Sequence, residues 1–77
     1  MPFDLFITSP RGRGYRSLNS PYDSREATRA TVRMMLIESP SSSDETQGFI
    51  ARVLDAPLGE TVTHEATGIS FRTEEAS

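Results

Sequence analysis

DSREATRATVRMMLIE, residues Asp23 to Glu38, is the longest stretch of this chain with a helical period, and it decides the predicted fold. Asp23 is a good N-cap residue, and Glu26 three positions later can complete a capping box. Ser20 as the cap is an alternative start, because a proline follows it at the first helical position. Pro40 disfavours helical geometry at the residue before it, so we predict that the helix ends near Glu38.

Two apolar stripes lie on nearly opposite faces of this predicted helix. We expect the first to cover a sheet, and it consists of Ala27, Ala30, Met34 and Ile37. The second stripe, Val32 and Leu36, shares the outer face with Arg25 and Arg29. Surplus apolar surface is typical of a binding site, so we predict that these four outer residues form a protein interface. The alternative is a loop or the C-terminal segment folded over Val32 and Leu36.

Short alternating segments on both sides of the helix predict strands at residues 3–8, 15–18, 49–54, 60–64 and 69–73. The serine-rich segment 39–48 is predicted to be a mobile loop, and residues 74–77 a frayed tail. We therefore predict one small α+β domain over residues 1–77. It is an antiparallel sheet of four or five strands, in the order ββαββ, with one helix packed on one face. Phe6, Ile50 and Leu54 would then be left exposed unless a second copy covers them, which favours a homodimer.

Composition sets limits on the class of protein. The residues Leu, Ile, Val and Phe number 5 + 4 + 3 + 4 = 16 of 77, just above the level typical of disordered chains. There is no cysteine to form disulfides or thiolate metal sites. No run approaches the length of a membrane span, and the N-terminus lacks the pattern of a signal peptide. We expect a folded protein without a membrane partner and with a cytoplasmic location.

The charges are distributed unevenly along the chain. Residues 1–33 contain six Arg and three acids, a balance of +3, whereas residues 34–77 contain two Arg and eight acids, a balance of −6. The simplest interpretation is that the two halves form ion pairs with each other in the folded protein. A basic binding face, or an acidic face that repels or imitates nucleic acid, is the alternative.

Residues with catalytic or metal-binding chemistry are few. His64 is the only histidine, and its neighbour on the same strand face is Val62, so we expect an ordinary surface or hydrogen-bonded strand histidine. The adjacent acids Asp44 with Glu45, and Glu74 with Glu75, fall in segments predicted to be mobile, where burial cannot shift their pKa values. We predict no catalytic residue, no metal site, no cofactor and no enzymatic activity.

The segment from Pro10 to Arg16, PRGRGYR, is the one motif with a binding mechanism. Its first four residues resemble the core of the AT-hook, a DNA minor-groove binding segment, although Gly14 stands where that family has proline. The resemblance implies a backbone lying flat in the groove with two arginines reaching along it. Arg11, Arg13 and Arg16 can also contact phosphates, and Tyr15 can stack on a base. The alternative is a solvent-exposed hairpin turn.

Three functions are compatible with these patterns. We favour a small non-enzymatic protein-interaction module that forms a homodimer or binds another protein through the outer helix face or an open sheet edge. The second is a nucleic-acid-binding accessory protein that uses Arg11, Arg13, Tyr15 and Arg16. The third is an enzyme or ligand-binding subunit whose site is built at an oligomer interface.

Overall fold

A four-stranded antiparallel sheet with two helices on one face forms the protein, in a computed structural model that describes residues 2–40 and 42–76. The elements in chain order are β1 Phe3–Thr8, β2 Gly14–Arg16, a 3-10 turn Glu26–Thr28, α1 Arg29–Met35, α2 Ser43–Asp55, β3 Thr61–His64 and β4 Ile69–Glu75. The strands lie in the order β2-β1-β4-β3. The predicted α+β class and antiparallel sheet are confirmed, but the element order is ββααββ, with one helix more than predicted.

The two central strands, β1 and β4, bring the ends of the described chain together. Phe3 is the register partner of Glu75, and Ile7 is the partner of Phe71. Beyond the strands, the Ala76 N–H donates to the carbonyl oxygen of Pro2 at 3.0 Å. The prediction of a frayed tail is therefore wrong for residues 74–76, while the last residue of that tail lies outside the described residues.

The core lies between the helices and the inner face of the sheet. Alternation along the strands puts buried residues on this face, as the pleat requires. The strands contribute Leu5, Ile7, Val62, His64, Phe71 and Thr73. The helices contribute Val32, Leu36, Phe49, Ile50 and Val53. Because the strand periodicity was clear in the sequence, β1, β3 and β4 occur within two residues of their predicted bounds.

The second helix, α2, replaces a predicted mobile loop and a predicted strand. Its N-cap is Ser42, whose side-chain oxygen accepts a hydrogen bond from the Glu45 N–H at 3.1 Å. Its buried residues Phe49, Ile50 and Val53 have the spacing of a helix face rather than the alternation of a strand. The prediction of a mobile loop is therefore wrong for residues 43–48 and that of a strand is wrong for residues 49–54, while residue 41 lies outside the described residues. The missed signal was the pair of Ser42 and Glu45, which has the spacing of a capping box.

The first helix is shorter than predicted and begins later. Neither Asp23 nor Ser20 caps it; the Ala27 N–H instead donates to the side-chain oxygen of Ser24 at 3.2 Å, at the start of the 3-10 turn. Ser20 is used elsewhere, because its side-chain oxygen accepts from the Leu5 N–H at 3.1 Å. The helix ends at Met35, ahead of the predicted end.

The face of α1 that covers the sheet is the opposite of the predicted one. Val32 is 0% exposed and Leu36 2%, whereas Met34 is 67% exposed and Ile37 74%. Ala27 and Ala30, the other members of the stripe predicted to be core, are exposed as well.

A hydrogen-bond network on Tyr22 holds the helix in this orientation. The Tyr22 hydroxyl lies 2.8 Å from Thr31 Oγ1 of α1 and 2.7 Å from Ser17 Oγ, which follows β2. The same tyrosine exchanges backbone hydrogen bonds with Phe3 of β1. Buried hydroxyls require such partners, so the network restricts how far α1 can rotate about its axis.

We expect the neighbouring substitutions Leu36→Ala and Ile37→Ala to have very different effects on stability. Leu36→Ala removes buried methyl groups and leaves a cavity, which typically costs about 2–5 kcal/mol in the free energy of unfolding. Ile37→Ala should change the free energy of unfolding of the monomer, measured at low protein concentration, by less than about 0.5 kcal/mol, because the side chain is exposed there. Urea denaturation of both variants measures this, and equal losses would contradict the orientation of α1.

Candidate interaction surfaces

The arginine turn, residues 9–13, connects β1 and β2. The Ser9 N–H donates to the Arg13 carbonyl oxygen at 2.8 Å, and the Gly12 N–H donates to the Ser9 carbonyl oxygen at 2.9 Å. Gly12 has a φ of 88°, a backbone conformation that favours glycine. The predicted hairpin is present. Its closed turn differs from the flat backbone that the AT-hook resemblance implies.

The four residues predicted to bind nucleic acid do not form one group. Arg11 and Arg13 are exposed at the turn and make no ion pair with any residue in 2–40 or 42–76. Tyr15 is the register partner of Ile7 and so points to the helix side, with its hydroxyl 4.0 Å from Met35 Sδ. Arg16 lies on the opposite face of the sheet, where its Nη2 is 2.9 Å from Asp4 Oδ1.

The residues predicted as a protein interface are also divided. Val32 and Leu36 belong to the core, so their predicted outward position is wrong. Arg25 donates from Nη2 to the Val53 carbonyl oxygen at 2.9 Å, which ties the start of the first helical segment to α2. Arg29 forms an exposed ion pair with Glu26. These four residues therefore present no continuous apolar surface.

An apolar surface does occur on the other side of the helix, where sequence reasoning placed the core. It consists of Ala27, Ala30, Met34 and Ile37, and we call it the α1 stripe. The stripe lines a groove of about 600 Å³ that α2 closes on one side with Gln47 and Ile50. Glu26, Arg29 and Arg33 form its polar margin. The other exposed large apolar residues of the described chain are Tyr15, Leu18 and Leu58, and Leu18 lies in a turn.

The outer face of the sheet is polar and internally paired. The guanidinium carbon of Arg72 lies 4.7 Å from the centre of the Phe6 ring, and Arg72 also pairs with Glu74. Thr63 Oγ1 and Ser70 Oγ are 2.9 Å apart. Phe6 is half-buried beneath this layer. The predicted exposure of Ile50 is wrong, because it is 1% exposed, and Leu54 packs partly against the core.

Each ion pair of the described residues joins two residues from the same half of the chain. Asp4–Arg16 and Glu26–Arg29 lie within residues 1–33, and Arg72–Glu74 lies within residues 34–77. The prediction that the two halves form ion pairs with each other is therefore wrong for residues 2–40 and 42–76. The arginine turn connects β1 with β2, and its Pro10 lies close to Gly68 of the turn between β3 and β4, while Glu60 and Glu65 flank β3.

His64 is buried on the inner face of β3 rather than exposed. Its Nδ1 lies 3.0 Å from Thr67 Oγ1, and its ring makes an edge contact with Phe49 at 4.8 Å between centres. These contacts fit the predicted hydrogen-bonded strand histidine. Across residues 2–40 and 42–76, no three His, Asp or Glu side chains are close enough to hold a metal ion. No helix in these ranges is long and apolar enough to cross a membrane.

The two acidic pairs occupy regular structure instead of mobile segments. Asp44 and Glu45 lie in the first turn of α2, where carboxylates interact favourably with the helix N-terminus. Glu74 and Glu75 belong to β4 and point to opposite faces of the sheet. Neither pair shares a cavity that would set up acid-base chemistry.

Comparisons with protein-family models, with curated proteins and with solved structures found no match to this chain. The function must therefore be inferred from the surfaces described above.

We expect the Glu26–Arg29 pair to be visible in a pH titration. A side-chain hydrogen bond from Arg29 holds the pKa of Glu26 below its ordinary value of 4.5. Because the folded pKa is lowered, the pair contributes stability above the ordinary glutamate pKa, and this contribution is lost as the pH falls through the lowered pKa. Since both groups are exposed, the effect on stability is small.

The measurement is a carbon-detected NMR titration of the Glu26 carboxylate. Its midpoint should lie below 4.5 in the parent protein and return towards that value in Arg29→Gln. The same titration of Arg13→Gln is the control, because Arg13 lies in the turn between β1 and β2 and no ion pair of the described residues includes it. An Arg29→Gln variant with an unchanged midpoint would show that the pair does not form in solution.

Proposed function

We propose that this protein is a small non-enzymatic interaction module that associates with a second copy of itself through the α1 stripe. The observation that carries the proposal is the exposure of Met34 and Ile37, at 67% and 74%, in a groove that has Ile50 at its base. Two large apolar side chains one helical turn apart are costly to leave in water, and burying them provides a driving force for association.

The margins of the stripe favour a second copy as the partner. A symmetric dimer brings the same patch together twice, and two α1 helices packed antiparallel would place the start of one beside the end of the other. Glu26 directly precedes the first residue of the stripe, and Arg33 lies in its second half, beside Met34. The antiparallel arrangement therefore brings a carboxylate of each copy towards a guanidinium of its partner, while the methionine adapts to the contact.

The test is sedimentation of the variant Met34→Ser with Ile37→Ser across a wide concentration range. Both side chains are exposed, so the variant should fold normally, and its mass should stay monomeric where the parent protein forms dimers. The matched control is Leu18→Ser with Leu58→Ser, which removes two other exposed apolar residues and should leave the dimer intact. A monomeric parent protein at all concentrations would refute the proposal.

A second candidate function is nucleic-acid binding through the arginine turn. It is favoured by Arg11 and Arg13, two exposed guanidinium groups without an ion-pair partner among residues 2–40 and 42–76. Tyr15 is 45% exposed on the strand that follows and supplies a ring on which a base can stack. Arg16 is held by Asp4, so it is expected to contribute less.

Fluorescence anisotropy with a labelled duplex and a labelled single strand tests this second function. Arg11→Ala with Arg13→Ala should weaken duplex binding and lower the slope of log affinity against log salt by about two, one unit for each lost phosphate contact. Arg29→Ala with Arg52→Ala removes the same charge elsewhere and should leave the slope unchanged. Equal effects of the two variants would indicate non-specific attraction and exclude a site at the turn.

The absence of enzymatic activity and the cytoplasmic location remain predictions. The polar clusters described above are ion pairs and paired hydroxyls, such as Asp4–Arg16, Arg72–Glu74 and Thr63–Ser70 on the outer face of the sheet and the Tyr22 network in the interior, and they are used to hold the fold together.

A further inference from the structure

We infer that the outer edge of β3 and the adjoining side of α2 form a groove that binds an extended, basic peptide segment as a fifth strand of the sheet. The groove has a volume of about 730 Å³ and lies at β3, the edge strand opposite β2 in the sheet order. Ala51, Ala56 and Val62 provide its apolar lining. The groove shares no lining residue with the groove at the α1 stripe, so the test of one proposal does not depend on the outcome of the other.

The first observation is that β3 is the last strand of the sheet. It pairs with β4 along one side, and its other side pairs with no element of residues 2–40 or 42–76. Edge strands that must avoid partners usually contain lysine, proline or a bulge. The sequence of β3, TVTH, contains neither lysine nor proline, and its register with β4 is continuous from Thr61 to His64. Its backbone can therefore accept another strand.

The second observation is the wall beside this edge. Residues of α2 and residues 60–65 line the same groove, so an added strand would contact a helix as well as the backbone of β3. The other edge strand, β2, differs in this respect. It has three residues, begins with a glycine and is exposed along its whole length. An added strand is therefore better held at β3 than at β2.

The third observation is charge, which identifies the chemistry of the partner. Three carboxylates line the groove, Asp55, Glu60 and Glu65, against one guanidinium, Arg52, a balance of −3 + 1 = −2. None of the three carboxylates makes an ion pair within residues 2–40 and 42–76. The C-terminal end of α2, at Asp55, adds the negative pole of the helix dipole. Basic side chains on the peptide complement this field.

The experiment is an amide NMR titration of the labelled protein with a short acetylated peptide in which arginine and valine alternate. We expect saturable shifts in residues 60–65 and along the facing side of α2. A peptide with glutamate in place of arginine should produce no such shifts. Two further peptides, N-methylated at one or the other set of alternate residues, distinguish strand addition from simple charge attraction. Only the set that faces β3 donates hydrogen bonds to it, so one peptide should lose binding and the other retain it.

Protein variants test the charge contribution. Glu60→Gln with Glu65→Gln should weaken binding of the arginine peptide by about threefold to tenfold, the range expected for two exposed ion pairs. The control Glu38→Gln with Glu75→Gln removes the same charge from exposed positions outside the groove and should leave the affinity unchanged. Circular dichroism of all variants verifies that the fold is retained.

Several outcomes would overturn the inference. These are the absence of shifts, shifts at Met34 and Ile37 instead of β3, or equal binding of the two N-methylated peptides. A second copy that presents its own arginine turn to β3 is the competing occupant. It would appear as dilution-dependent shifts at both residues 60–65 and Arg11 to Arg13 in the protein alone, and that result would replace the peptide with self-association.

Discussion

The pairing of β1 with β4 is the constraint on which the rest of the structure depends. It joins Phe3 to Glu75 and runs without interruption to Thr8 and Ser70, so nearly the whole chain lies between the two strands. Closing so long a loop costs conformational entropy, and the burial of apolar residues must offset that cost. Leu5, Ile7 and Phe71 supply the centre of that burial on the inner face of the two strands.

The two helices follow from this constraint because both lie within the closed loop and must return over the inner face. α1 and the residue that follows it contribute Val32 and Leu36 to the core, and α2 contributes Phe49, Ile50 and Val53. Between them they cover the face that a single helix could not. As a consequence, the apolar side chains on the opposite side of this segment, Met34 and Ile37, remain exposed to solvent.

The ion pairs of the protein form over short distances along the chain or between adjacent strands. Ion pairs form between neighbours, such as Glu26 with Arg29, or across adjacent strands, such as Asp4 with Arg16. The remaining charges include Arg11 and Arg13 in the turn between β1 and β2, and Glu60 and Glu65 on either side of β3. An apolar surface beside α1, an exposed arginine turn and an acidic groove at β3 are features suited to binding other chains, which supports the proposed interaction module.

By itself, the sequence determined those features that depend on residues close together in the chain. The alternation in β1, β3 and β4, the turn at Gly12 and the helical character of residues 29–35 were predictable because each depends on neighbours within a few residues. The arginine turn was predictable as an exposed feature for the same reason. Only the tertiary structure decided which face of α1 is buried, because its two apolar stripes differ little in hydrophobicity and the choice depends on contacts with Tyr22 and the sheet. FIARVL by itself fits both a strand and a helix; the local cap at Ser42 favours the helix, and the packing of Phe49, Ile50 and Val53 in the core stabilises it.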